Sequence, residues 1–342
     1  MNDELLEQAY WLLLTFESKI SKHIIWDIIE IWCRQRSGTL QEFFSLTVHQ
    51  WNDICQLDEH VIEKLECVRE KIEDQVALVE RLAKRRIHIL TVLDMKYPRK
   101  LKSTLSFLET PPVLFYAGDL EILELISVAI IGSRNATEES LAFTRLASQY
   151  LAEQGANVIS GNARGVDRAA LEGVISSIGC TTVVLPHGIL KLGKAQMRIL
   201  QPKIESGNVL MMSQFHPDAQ WVVSRAMERN KLVTALAQVV IVAESNNQGG
   251  TWEGANGALR QTRPLYVRQS DSPALMPGNK ALIELGGRPL YWPIGVNEEE
   301  KSLIEDVISP LLESEMFSQK QGYIPPLSTQ ISYILEEQRV YL

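Results

Sequence analysis

The chain has 342 residues and a mass of 38.6 kDa, enough for about two domains of ~150 residues each. Apolar residues make up 45% and charged residues 22%, a globular composition that excludes wholesale disorder, and no low-complexity tract or internal repeat interrupts it. No uncharged apolar run reaches the ~20 residues of a membrane span. The apolar stretch 9–16 lacks the basic start and small-residue cleavage site of a secretion signal. Cys33, Cys55, Cys67 and Cys180 form no CxxC pair, which argues against a zinc ribbon or a redox motif and for buried thiols in a reduced, cytoplasmic protein.

The net charge of −8 is unevenly spread. Residues 1–126 carry 15 Lys and Arg against 21 Asp and Glu, residues 127–270 carry 14 against 10, and residues 271–342 carry 5 against 11. An acidic chain with a basic middle can still focus an anion there, because potential depends on where charges sit.

The first ninety residues read as helical. Segments 4–15, 22–34, 40–44 and a long stretch over 61–84 carry apolar residues at the i, i+3, i+4, i+7 spacing of a helix with one buried face. Ile24, Ile25, Ile28, Ile29 and Trp32 make the clearest stripe, a pattern of core packing rather than of a ligand site. From residue 87 onward turn residues punctuate the chain. Segment 87–93 predicts a strand, Tyr97-Pro98 and Pro111-Pro112 mark turns, and 113–116 predicts a second strand ending at Gly118-Asp119. Strand-like runs follow at 128–131, 157–160, 181–185, 209–213, 239–243 and 264–267, separated by amphipathic segments at 137–154, 167–177, 194–206, 222–237 and 251–262. Short apolar strands alternating with helices make a parallel sheet covered on both faces. The fold class is therefore α/β: a Rossmann-like, doubly wound, mostly parallel sheet over 87–295, preceded by an all-helical domain over 1–86 and followed by a small helical appendage over 296–342.

Ligands of such sheets meet the carboxyl ends of the strands. Three of those ends are unusual here: Gly132-Ser133-Arg134, the run Ser160-Gly161-Asn162-Ala163-Arg164-Gly165-Val166-Asp167, and Gln248-Gly249-Gly250-Thr251. Glycine lets main-chain N–H groups close on an anionic oxygen, hydroxyls add short donors, and guanidinium forks match phosphate. A fourth stretch, Arg225-Ala226-Met227-Glu228-Arg229-Asn230-Lys231, brings cations and an amide toward the same sheet edge. The fingerprint GxGxxG is absent, which disfavours an ordinary NAD site, and the ligand class that remains is phosphate-bearing. Asp167 reads as a helix-start cap and His187, after Pro186, as a loop residue; no nucleophile–base or metal-ligand spacing appears.

These motifs, with the lead-in Ile89-Leu90, Tyr97-Pro98 and Pro111-Pro112-Val113-Leu114-Phe115-Tyr116-Ala117-Gly118, make residues 87 to about 290 resemble the DprA/Smf family of DNA-processing proteins, within the superfamily that includes the LOG proteins. The helical N-terminus suits the family's sterile-alpha-motif-like region. Two stretches depart from the family. Its Pro-Arg-Arg-Asn-Arg is here Met227-Glu228-Arg229-Asn230-Lys231, and its Ser-Gly-Ser or Ser-Gly-Thr is here Gly249-Gly250-Thr251. The family's C-terminal winged helix looks truncated or missing.

The resemblance implies a protein without a catalytic step or cofactor. Such a protein binds single-stranded DNA in a basic pocket, forms a homodimer, and loads a RecA-type recombinase in natural transformation or a related recombination or defence process. Carried onto matching positions, it makes Arg134, Ser160, Gly161, Arg164, Arg229, Asn230, Lys231 and Thr251 phosphate-binding candidates, with Gly132, Ser133 and Gly250 beside them. Trp221 and Phe215 are available for base stacking, although aromatics so placed are more often core. Two alternatives stand beside this reading. One is a nucleotide sensor or a LOG-like nucleoside-monophosphate phosphoribohydrolase, in which Arg229 and Glu253 act as the Arg/Glu pair; the other is a partner-binding scaffold with a vestigial pocket.

Overall fold

A computed structural model describes residues 3–269 and 276–291, together with residues 308, 309 and 313. The appendage expected over 296–342 otherwise lies outside the described residues. Helix α1 (Asp3–Leu12) runs on into a π-helical stretch, Leu13–Glu17. Helix α2 (Lys22–Ile28) starts at Ser21, whose hydroxyl accepts the Ile24 N–H, and runs into a second π-helical stretch, Ile29–Gln35. Capping boxes open α3 (Leu40–Ser45) and α4 (Val48–Cys55): Thr39 pairs with Glu42 and Thr47 with Gln50, each satisfying two N–H groups that a helix start leaves unpaired. Helices α5 (Glu59–Arg69) and α6 (Ile72–Ala83) follow. The long helix expected over 61–84 is thus broken at Glu70 and Lys71, and α4 is an addition to the expected set. Phe43, Phe44 and Trp51 form the aromatic centre of this region, with the Trp51 indole donating to the Phe43 carbonyl at 2.8 Å.

The chain continues as β1 (His88–Thr91), α7 (Arg99–Thr104), β2 (Val113–Ala117), β3 (Ser127–Gly132), α8 (Glu138–Glu153), β4 (Asn157–Ser160), α9 (Val166–Ile175) and β5 (Cys180–Val184). Then come α10 (Lys194–Glu205), β6 (Val209–Ser213), α11 (Val223–Leu236), β7 (Val239–Glu244), α12 (Gly250–Arg260), β8 (Leu265–Gln269), α13 (Pro277–Glu284) and β9 (Arg288–Tyr291). Among the described residues the nine strands make one sheet in the order β1-β2-β6-β5-β4-β3-β7-β8-β9. The seven strands from β3 onward run parallel, and β2 joins β6 and β1 antiparallel. The fold is the α/β class read from the sequence. The alternation of strands and helices is where periodicity put it, within about two residues at each end, whereas α7, α13 and β9 are additions.

Central strand β3 pairs with β4 on one side, Val128 opposite Val158, and with β7 on the other, Val128 opposite Val239. The chain leaves β3 toward β4, crosses to β5 and β6, and returns through α11 to place β7 against β3's free edge. The carboxyl ends of β3 and β7 therefore flank the switch point, where connections diverge and a crevice must open.

The helical N-terminal region grips the loop between β6 and α11. Phe16 packs on Phe115 of β2 at 5.8 Å between ring centres and edge-on against His216 at 5.6 Å. Arg81 pairs with Asp218, and Lys22 reaches Glu228 of α11 at 2.7 Å. Burial depresses the His216 imidazole below its ordinary value of 6.5; Asp218 and Glu17 oppose that shift, while Arg81 and Arg225 reinforce it. The neutral ring is also needed because Nδ1 accepts the Asp218 N–H at 3.2 Å. A histidine depressed in the folded state contributes stability above 6.5 that is lost as pH falls through its folded value. The thermal midpoint is therefore expected to drop as pH falls below 6.5, and less so in His216→Asn; equal pH profiles for the two proteins would contradict this account.

Candidate functional site

The crevice at the switch point holds a cleft of about 310 Å³. Its first wall is the loop after β3. Gly132 has no room for a side chain, since a Cβ would lie 2.4 Å from Val166 Cγ2 at the start of α9. Ser133 N–H donates to the Glu244 carbonyl of β7 at 2.9 Å, tying the loop to the neighbouring strand. Arg134 projects from this loop, exposed, with its guanidinium 5.3 Å from the centre of the Trp221 ring. Arg164 braces it from behind: Nε donates to the Arg134 carbonyl at 3.3 Å and Nη2 to the Asn135 side chain.

The floor is built on a buried ion pair. Arg229 of α11 is 3% exposed; Nη1 donates to the Val184 carbonyl at the end of β5 at 3.0 Å, and Nη2 lies 3.6 Å from the Asp167 carboxylate. Gly161 is the residue that admits it, because a Cβ there would fall 1.1 Å from Arg229 Nη1. Burial pushes the Asp167 carboxyl upward, against Arg229 and the N–H groups of Ala163 and Gly161 that favour its charged form. The Gly161 N–H is thus turned inward. Ser160 is fully buried beneath, its hydroxyl without a hydrogen-bond partner.

The opposite wall comes from α11 and α12. Asn230 Nδ2 donates to the Gly250 carbonyl at 3.2 Å, fixing the start of α12 beside α11. Gly249, at φ 92°, opens α12 without a side-chain cap, and Val222 opens α11 likewise. Uncapped N–H groups and the positive ends of these helix dipoles border the cleft, an arrangement that favours an anion.

Eight of the eleven residues singled out from the sequence therefore line one cleft: Gly132, Ser133, Arg134, Gly161, Arg229, Asn230, Gly250 and Thr251. Ser160, Arg164 and Lys231 do not. Lys231 instead reaches Glu109 at 2.5 Å, and that contact holds the Glu109 carboxyl below its ordinary range despite partial burial. Gln248, from the third strand-end motif, also lines the cleft, as does Asn246, which was not singled out although the strand-end rule points at the whole loop after β7. Trp221 is 44% exposed at the rim, whereas Phe215 is buried in the core. Glu244 is structural: it accepts from Thr137 and from Ser140 Oγ at 2.7 Å.

Fold and cleft together place the chain among doubly wound α/β proteins with a glycine-loop crevice at the switch point. The family model for DNA recombination-mediator protein A matches residues 88–292, more than half of the chain, and the protein belongs to that family. Protein Smf of Escherichia coli is 28% identical over 181 residues, covering 53% of this chain and 47% of that protein. The DNA processing protein DprA of Streptococcus pneumoniae is 28% identical over 199 residues, 58% of this chain and 69% of that protein. The chain thus matches about half the length of the first relative. The crystal structure of the pneumococcal protein superposes with a TM-score of 0.66 at 22% identity, covering 87% of this chain and 97% of that one. A Helicobacter pylori DNA processing protein A, described for its single-stranded DNA binding mode, superposes with a TM-score of 0.55 at 26% identity, covering 67% and 97%.

Two substitutions check the floor. Asp167→Asn strands a buried guanidinium and is expected to lower the unfolding free energy by about 3–5 kcal/mol, measured by urea titration. Gly161→Ala forces Arg229 aside and is expected to cost about 1–3 kcal/mol. Wild-type stability in both would show that the pair does not hold the floor.

Proposed function

We propose that the cleft binds single-stranded DNA by its sugar–phosphate chain, and that the protein acts as a recombination mediator delivering the strand to a RecA-type recombinase. The observation that carries this is the pairing of Arg134 with Trp221 beside the uncapped start of α12: an exposed guanidinium fork next to an exposed aromatic face. Backbone amides and one guanidinium grip phosphates irrespective of base, and a ring accepts any base by stacking, so the binding has little sequence preference and strong salt dependence. Family membership supports the mediator role, and the description of the H. pylori relative supports the ligand. A homodimer and a cytoplasmic setting belong to the same reading. No helix among the described residues is long and apolar enough to cross a membrane.

The nucleotide-hydrolase alternative finds less support. It needs a carboxylate facing the bound sugar, and Glu253 lines an adjoining groove between α11 and α12 rather than the cleft itself. Asp167, which does line the cleft, is committed to Arg229. Within the cleft reading the residues divide by task. Arg134, Ser133, Gly250 and Thr251 meet phosphate, while Arg164, Arg229 and Asn230 hold the surrounding loops.

Arg134→Ala is expected to weaken oligonucleotide binding about tenfold and to lower the log–log salt slope by roughly 0.7. Trp221→Ala is expected to cost about 1–3 kcal/mol of binding. Lys231→Ala, which removes a cation already paired with Glu109, should change affinity far less. Anisotropy titrations at two salt concentrations measure all three, and unchanged affinity and slope in Arg134→Ala would refute the assignment.

A further inference from the structure

A second, larger hollow of about 1450 Å³ lies between α10 and the junction of α6 with β1. One wall carries Lys84, Arg85 and Arg86, the other Lys194 and Arg198, and Ile87, Leu192 and Met211 contribute an apolar floor. Among the described residues none of these five cations makes an ion pair or a side-chain hydrogen bond. The two carboxylates lining the groove are already engaged, Asp119 by the Glu121 N–H and Glu205 by the Gln201 amide. Like charges gathered around one groove repel one another in the free protein, and an anion between them relieves that cost.

Two local features add positive potential to the groove. Helix α10 starts at Gly193 with no side-chain cap and no acidic residue in its first turn, and its first residue is Lys194. A cation there opposes the helix dipole, whereas a phosphate would satisfy both. Arg86 sits in the left-handed region, φ 54°, closing α6 through N–H bonds from Arg86 to Ala83 and from Ile87 to Leu82. Glycine is the usual residue at such a helix end, so arginine is held there against a backbone cost of roughly 1 kcal/mol.

The loop at one end of the groove is bonded to the loop at the rim of the cleft. Gly188 N–H donates to the Ala219 carbonyl at 2.9 Å and Leu190 N–H to the Pro217 carbonyl at 3.1 Å, stitching the loop that leads into α10 onto the loop that carries Trp221. Lys191 then pairs with Asp218 at 3.5 Å. The first loop borders the groove through Ile189, Leu190 and Lys191, and the second leads to Trp221. Because that second loop carries the aromatic rim of the cleft, a continuation of the same strand suits the groove better than an acidic polypeptide.

We infer that this groove binds a second segment of the single strand whose first segment lies in the cleft, an inference that rests on the function proposed above. The test compares thymidine oligonucleotides of ~6 and ~24 nucleotides, one too short and one long enough to cover both sites. It uses wild type, Arg134→Ala and the combined variant Arg86→Gly, Lys194→Gln, Arg198→Gln, with thermal melting to confirm folding. Glycine at residue 86 removes a guanidinium without backbone penalty. The combined variant should bind the short oligonucleotide as wild type does, bind the long one at least ~10-fold more weakly, and lose about 2 from the salt slope. Wild-type binding of the long oligonucleotide by the combined variant overturns the inference and assigns the groove to another occupant such as an acidic protein; loss in Arg134→Ala then shows the cleft reading intact. Equal loss for both lengths also overturns it. Unchanged binding of both by Arg134→Ala overturns the cleft reading and this inference with it.

Discussion

Arg229 is the pin on which the cleft is assembled. Its guanidinium joins α11 to the end of β5, to the first turn of α9 and, by close approach, to Gly161, which opens the loop after β4. At 3.6 Å and an effective dielectric of ~20, its attraction to Asp167 is worth about 4–5 kcal/mol, while removing two such ions from water costs several kcal/mol each. The pair therefore contributes position more than stability. It fixes the backbone of three loops at a depth where a hydrophobic pair would pack without orienting them.

With the floor pinned, the walls follow. Gly132 and Gly165 let the loops after β3 and β4 pass in contact, a Cβ on Gly165 falling 2.3 Å from the Ser133 carbonyl. Arg164 spends its hydrogen bonds holding the outer loop, leaving Arg134 to face the solvent side of the cleft. One guanidinium supports the loop and the other is presented by it. Two adjacent motifs of similar composition thus do different work, and an overall charge of −8 is compatible with an anion site because the acids near it are engaged internally.

The N-terminal helices bear on the site through the β6–α11 loop. Phe16, Arg81 and Lys22 hold that loop and α11 from outside, and the loop in turn positions Trp221 at the rim. Surface ion pairs of this kind contribute little energy singly. Here they act together with the Phe16, Phe115 and His216 ring contacts, so the aromatic rim is placed by a region far away in sequence.

The sequence by itself determined the sheet, its flanking helices and the neighbourhood of the site. Apolar period and glycine-bearing strand ends are local signals, and residues 157–160 and 209–213 could be read almost to the residue. Helix α4 announces itself through Thr47 and Gln50, yet the break at Glu70 and Lys71 carries no Gly or Pro and is set by packing. What tertiary structure alone decided is which polar side chain is free. Arg134 and Arg229 look equivalent as letters; one is exposed beside Trp221 and the other is buried against Asp167, 62 residues earlier in the chain. The basic groove has the same origin, since Lys84, Arg85 and Arg86 in the acidic first segment meet Lys194 and Arg198 only when the chain folds. Charge pairing and burial depend on neighbours brought together across the sheet, and no periodicity along the chain encodes them.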